Sequence, residues 1–167
     1  MTAGLLTTGA ALGRIAFVGA AVFVFDRLTK WWVVEAMDLA RVLAIDVWPG
    51  FVNFRMAWNR GVNFGLFATD GDAGRWALIA LSLAIAAAVT VWALRRRDPL
   101  FALGAGLLVG GALGNAWDRF VYGAVADFLN VTCCGVQNPF SFNVADIAIF
   151  AGALAVALAP DRRPQAA

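Results

Sequence analysis

Histidine is absent from this 167-residue chain, glutamate occurs once, and serine stands only at Ser82 and Ser141. These gaps remove most hydrolytic chemistries: no serine–histidine or cysteine–histidine pair can form, nor a histidine-ligated zinc site. Cysteine is nearly missing as well. Its two copies, Cys133 and Cys134, are adjacent, a spacing unsuited to a mutual disulfide or to metal ligation, so they read as incidental loop residues. Charge is also scarce, at 14% of residues against about 25% in soluble domains, whereas 62% are apolar against about 45–50%. This is the composition of a membrane protein. The length allows one domain, and no linker-like or low-complexity segment suggests a second.

Four apolar stretches, at about 16–34, 75–94, 100–117 and 143–159, reach or approach the ~20 residues needed to cross a bilayer core. The first could be taken for a signal peptide. No small-residue cleavage site follows it, however, and Asp26-Arg27-Leu28-Thr29-Lys30 runs on into Trp31 and Trp32 at the interface, so it reads as a retained span. Arg14 precedes the first span, Arg95-Arg96-Arg97 fills the second turn, and Arg162-Arg163 follows the fourth span. All three sites fall on one side, which predicts cytoplasmic termini. The two longer connections, about 35–74 and 118–142, then face outward; their arginines (Arg41, Arg55, Arg60, Arg75, Arg119) are dispersed rather than clustered.

In the first long connection Val52, Phe54, Met56 and Trp58 alternate with Asn53, Arg55 and Ala57, the period of a strand. With 42–48 as partner across Pro49-Gly50, this predicts a small sheet in the first outer loop. It either rests on the outer leaflet or forms a buried hairpin touching neither lipid nor substrate. The third span carries Gly104, Gly106, Gly110, Gly111 and Gly114. Gly106/Gly110 and Gly110/Gly114 share a helix face, and Ala148 and Gly152 offer a similar one on the fourth span, so these two helices are expected to pack closely. The fold class predicted is a mainly α, polytopic membrane protein with four transmembrane helices.

On that topology the polar residues collect at one depth: Asp26 in the first span, Asn115, Asp118 and Arg119 at the end of the third, Asn143 and Asp146 opening the fourth, and Asp127 in the loop between. Asn115 and Asp118 are three apart, as are Asn143 and Asp146, so each pair projects from one helix face. Several ends converging on one surface describe a site. Without histidine, a reactive serine or metal ligands, two close carboxylates remain able to do chemistry. In a low dielectric they share one proton; the ionised member takes a proton from water while the neutral one protonates the carbonyl oxygen or leaving amine.

Each residue also has a structural explanation. Asp26 could pair with Lys30 one turn on, and Asp118 with Arg119 or Arg27. Arg119 could snorkel to headgroups, and Asn115 and Asn143 could serve as packing amides or caps, Asn143 before Asp146 fitting a helix start. Asp127 and Asp146 are explained least well in this way, because Asp127 has no basic residue within four positions and Asp146 lies inside an apolar run.

These residues fall into ordered motifs: Asp26-Arg27-Leu28-Thr29-Lys30; Trp58-Asn59-Arg60-Gly61-Val62-Asn63-Phe64-Gly65; Gly110 through Arg119; Val125-Ala126-Asp127-Phe128; and Phe142-Asn143-Val144-Ala145-Asp146. Over nearly its whole length the chain resembles the lipoprotein signal peptidases (signal peptidase II), membrane aspartic peptidases of bacteria. The resemblance implies that Asp127 and Asp146 form the catalytic dyad, with Asp26, Asn59, Gly61, Asn115, Arg119 and Asn143 as a supporting polar shell. It implies no cofactor, and a substrate that is a prolipoprotein bearing a diacylglyceryl-modified cysteine, cut on the amino side of that cysteine. It also implies the bacterial inner membrane; the arginine distribution turns the site towards the outer face, and a monomer is expected, although the small-residue faces would also allow packing between chains. Asn63 departs from the alanine or serine common in the family before Phe-Gly and bears on specificity. Two rival functions are a proton-coupled transporter, disfavoured by the absence of an internal or inverted repeat, and a non-catalytic scaffold with interhelical aspartates.

Overall fold

The computed structural model describes residues 5–61, 72–132 and 138–160; Asn63, Cys133, Cys134, Arg162 and Arg163 lie outside them. Helix α1 (Thr8–Lys30) begins where the Thr7 side chain accepts the Ala10 N–H, and it continues into a π-helical turn, Trp31–Ala36. A short helix α2 (Leu39–Val42) leads to strands β1 (Ala44–Trp48) and β2 (Val52–Asn59). Helices α3 (Ala73–Arg96) and α4 (Pro99–Tyr122) follow, then strand β3 (Val125–Val131) and helix α5 (Val144–Leu158). The tight α3–α4 connection is set by Asp98, whose carboxylate accepts the N–H groups of Leu100 and Phe101, with Pro99 in the first turn where a missing N–H costs nothing.

Helix α4 is the axis of the bundle, with 12 of its 24 residues buried against five of 23 in α1 and three of 24 in α3. The outward faces are apolar: Phe17 is 76% exposed and Phe150 79%, a surface that suits hydrocarbon rather than water. Among the described residues three helices are long and apolar enough to cross a membrane. The fourth, α5, has 15 residues and rises only about 22 Å, short of the ~30 Å hydrocarbon core. Ahead of it the chain is extended, and Phe142 is bonded to β3.

Glycine packing differs from the expected pattern. Helices α4 and α5 do meet closely, but through Gly104 and Gly111: a Cβ on Gly104 would lie 2.8 Å from the Gly152 carbonyl oxygen, and one on Gly111 2.5 Å from that of Ala145. Gly106 and Gly110 face α1 instead, where added Cβ atoms would meet Val18 at 2.7 Å and the Gly19 oxygen at 2.6 Å. Two seams on one helix therefore replace the single stripe expected. They lie on different sides because residues seven apart return to nearly the same side of a helix, so Gly104/Gly111 and Gly106/Gly110 form separate rows.

The sheet has three antiparallel strands in the order β1-β2-β3. The β1–β2 hairpin matches the sequence reading, but β3 corrects it: Asp127 belongs to a strand, not a loop, and the sheet draws on both long connections. Phe54 and Met56 pack as alternation predicts onto a core of Val33 and Val34 from the π turn, Leu39, Ala126 and Phe128. On its other side β3 is joined by Phe142, which exchanges backbone hydrogen bonds with Leu129 (2.8 and 2.9 Å). That bridge brings the entry to α5 against the strand bearing Asp127.

Candidate active site

Two local devices aim the side chains. On β2 a bulge between Phe54 and Ala57 sets Ala57 opposite Asp127 and Asn59 opposite Val125. Continued without the bulge, the Phe54–Leu129 register would have placed Met56 opposite Asp127 and Trp58 opposite Val125. The extra residue thus exchanges an indole for an amide beside the carboxylate. The Asn59 amide donates to Asp127 Oδ2 at 3.1 Å, and its oxygen accepts the Gly61 N–H at 2.9 Å. Gly61 has φ +82°, and a Cβ there would run into Leu78 and come within 3.5 Å of Arg119, so this turn has room for glycine alone.

The second device is the start of α5, a capping box in which Asn143 Oδ1 accepts the Asp146 N–H (2.9 Å) and Asp146 Oδ2 accepts the Asn143 N–H (3.2 Å). Capping alone would account for Asp146. It does not account for the rest of Asn143, whose buried Nδ2 donates to Asp127 Oδ1 at 2.5 Å and to Asn115 Oδ1 at 3.3 Å. Asn115 in turn donates to Asp146 Oδ1 at 2.9 Å. Asn143 therefore holds both carboxylates, Asp127 through its side-chain amide and Asp146 through its backbone N–H, and the Asn115 amide binds Asp146 as well.

Asp127 is 3% exposed. Burial, then the charge of Asp146, raises its pKa to about 6, against the hydrogen bonds from Asn59 and Asn143 and the charge of Lys30, which favour the ionised form. Arg119 donates to the Asn115 carbonyl at 3.3 Å and lies close enough to Asp127, Asp146 and Asp118 to interact with all three charges. It does not pair with Asp118.

Asp118 and Asp26 instead build a separate cluster behind the dyad, both fully buried. Lys30 donates to Asp26 Oδ2 at 2.9 Å and pairs with Asp118 Oδ2 at 2.6 Å, and Arg27 bridges the same two acids. Both pairings anticipated from sequence, Asp26 with Lys30 and Asp118 with Arg27, are present, but as one network of two acids and two bases. Sequence reasoning missed that closure, and it missed β3. Val125, Phe128 and Val131 give only a partial strand signal, broken by Ala126 and Asp127; the contact of Lys30 with Asp118 joins distant segments and has no local signal.

The two carboxylates open onto different spaces. Asp127 lines a cleft of about 380 Å³ with Asn59, Arg60, Gly61, Phe140 and Ser141. Asp146 lines a groove of about 680 Å³ with Phe142, Ile147, Phe150, Ala151 and Leu154, almost wholly apolar and running along the outer face of α5. The site thus has a polar approach and a hydrocarbon approach.

Comparison with known proteins agrees. The family described as Signal peptidase (SPase) II matches residues 18–160. The chain is 44% identical over 138 residues to a lipoprotein signal peptidase of Methylorubrum extorquens (strain PA1), covering 83% of this chain and 80% of the relative. It is 43% identical over 143 residues to one of Methylobacterium radiotolerans, covering 84% and 82%. A solved bacterial membrane enzyme has the same fold, with a TM-score of 0.72 at 23% identity over 93% of this chain and 90% of its own. An amide-bridged pair of aspartates at the sheet end of an apolar bundle, within a match this long, leads to one conclusion: the chain belongs to the signal peptidase II family and is a membrane-embedded bacterial peptidase.

Proposed function

We propose that the chain removes signal peptides from bacterial prolipoproteins by an aspartic mechanism in which Asp127 and Asp146 are the catalytic residues. The observation that carries this is the Asn143 amide, which binds Asp127 and is locked to Asp146 by the capping box. The raised Asp127 carboxyl supports the division of labour. Asp127 holds the shared proton and Asp146 is ionised. Asp146 takes a proton from water as the water oxygen attacks the scissile carbonyl carbon, and Asp127 gives its proton to the carbonyl oxygen. Collapse of the tetrahedral intermediate re-forms the carbonyl as one hydroxyl returns its proton to Asp127, and breaks the C–N bond as the leaving nitrogen takes the proton held by Asp146. Asn59, Gly61, Asn115, Arg119 and Asn143 fix the dyad and its approach; no cofactor enters.

The substrate in this reading carries a diacylglyceryl-modified cysteine and is cut on the amino side of that cysteine. The apolar groove beside Asp146 suits acyl chains, and the cleft beside Asp127 suits the peptide. The enzyme acts as a monomer in the inner membrane, termini in the cytoplasm and site towards the outer face, the orientation that the arginine distribution supports. The sheet closes over the substrate from the membrane surface.

Asp127→Asn and Asp146→Asn test the mechanism. Each should fold in detergent and lower cleavage of lipid-modified prolipoprotein by about 10²–10⁴-fold. Retained cleavage in both would return the reading to a proton-coupled transporter or a scaffold.

A further inference from the structure

The buried cluster behind the site has two contacts that electrostatic balance does not require. Asp118 Oδ2 accepts the backbone N–H of Ala126 at 3.2 Å, and Asp26 Oδ1 accepts that of Ala145 at 3.0 Å. Ala126 immediately precedes Asp127, and Ala145 immediately precedes Asp146. Each buried acid thus holds the peptide unit next to one member of the dyad. Arg27 and Lys30 tie the two acids to each other, so the anchors are cross-linked.

We infer that Asp26, Arg27, Lys30 and Asp118 act as one positioning unit that sets the spacing of Asp127 and Asp146 from behind through the Ala126 and Ala145 amides. Resting on the dyad reading, this deepens it: Asp26 and Asp118 serve the reaction without touching substrate. The chemistry favours such a unit. A neutral cluster of two carboxylates and two cations, with both acids fully buried and only Arg27 partly exposed, has few alternative arrangements, since displacing one member leaves a charge uncompensated in a low dielectric. The site wall closes around the same cluster. Gly114 passes so near that an added Cβ would lie 2.8 Å from Asp26 Oδ2. Lys30 and Asp146 of α5 also act on Asp127 at a distance, and Arg119 of α4 interacts with Asp127, Asp146 and Asp118.

The test compares Asp26→Ala, Asp26→Asn, Asp118→Ala and Asp118→Asn, purified in detergent, with kcat and KM taken per folded molecule. Loss of positioning should lower kcat about 10–100-fold for the alanine variants with KM changed less than about twofold, and the asparagine variants, which retain an oxygen towards the amide, should recover part of the loss. A structural role alone would reduce the folded fraction and leave kcat of the remainder at the wild-type value. That result overturns the inference. Where a variant does not fold, residue-resolved amide exchange on the wild-type enzyme decides. Ala126 and Ala145 should both exchange among the slowest amides outside helix interiors; rapid exchange at either removes the anchor. Asp127→Asn and Asp146→Asn run beside these keep the two ideas apart. Cleavage retained there ends the dyad reading, whereas their inactivity with unchanged kcat in the Asp26 and Asp118 series ends only this one.

Discussion

At Asp127 the competing influences on one carboxyl translate into a pH profile. The active form in the mechanism above has Asp127 protonated, and its pKa is raised to about 6. Raising the pH through that value removes the proton, so kcat/KM should fall on the alkaline side with an apparent pKa near 6. The Asn59 hydrogen bond favours the charged form. Asn59→Leu should therefore raise the pKa and move the alkaline limb to higher pH, even as its maximum rate drops. A limb that stays in place, or moves down, would show that a different group limits the rate. Asp127 and Asp146 could be singled out in the sequence because neither has a basic residue within four positions to neutralise it. Asp26 could be placed in the site but not in its position there, since the N–H it accepts belongs to a residue 119 positions away.

Among the elements, α4 determines where the polar ends meet. Its Gly111 row receives the carbonyl of Ala145, one residue before Asp146, whereas its Gly106 row receives α1 well away from the dyad. Enlarging either position overpacks a tight seam and should cost about 1–3 kcal/mol of stability. The activities should separate. Gly111→Val pushes on the start of α5 and should lower kcat of the folded enzyme, while Gly106→Ala should lower the melting temperature and leave kcat near wild type. Thermal melts with cleavage assays on the same preparations check this; equal kcat losses would mean that both seams control the dyad. That α4 is glycine-packed could be read directly from sequence. Which glycine meets which helix could not, because one 20° error in helix phase accumulates over turns and moves a residue from one seam to the next. β3 escaped for a related reason: Ala126 and Asp127 interrupt its β-branched and aromatic residues, and only pairing with β2 makes the segment a strand.

For the whole molecule, Arg14 and the Arg95-Arg96-Arg97 turn lie at one end of the bundle and the sheet at the other. Arg14 donates to the Pro99 carbonyl and Arg96 to that of Pro160, closing one end, and the sheet covers the polar ends of α1, α4 and α5 at the other. With Cys133 and Cys134 replaced by alanine, single cysteines at Val47 in β1 and at Arg95 in α3 should report opposite sides. A membrane-impermeant thiol reagent applied to intact spheroplasts should label Val47→Cys at once and Arg95→Cys only after permeabilisation. The reverse pattern would invert the orientation given to the site. That the basic α3–α4 turn and the sheet fall at opposite ends was readable because charge clusters and apolar length act locally, without reference to tertiary packing.

The amide of Ala145, held by Asp26, sets an order in time. During synthesis α1 leaves the ribosome early, carrying Asp26, Arg27 and Lys30, and it waits while more than a hundred residues follow before its last ligand emerges. Contacts this distant in sequence close late. A nascent chain ending before α5 has Asp127 but neither Asp146 nor Asn143, so in the proposed mechanism proteolytic competence waits for α5. The membrane is thereby spared a half-built peptidase.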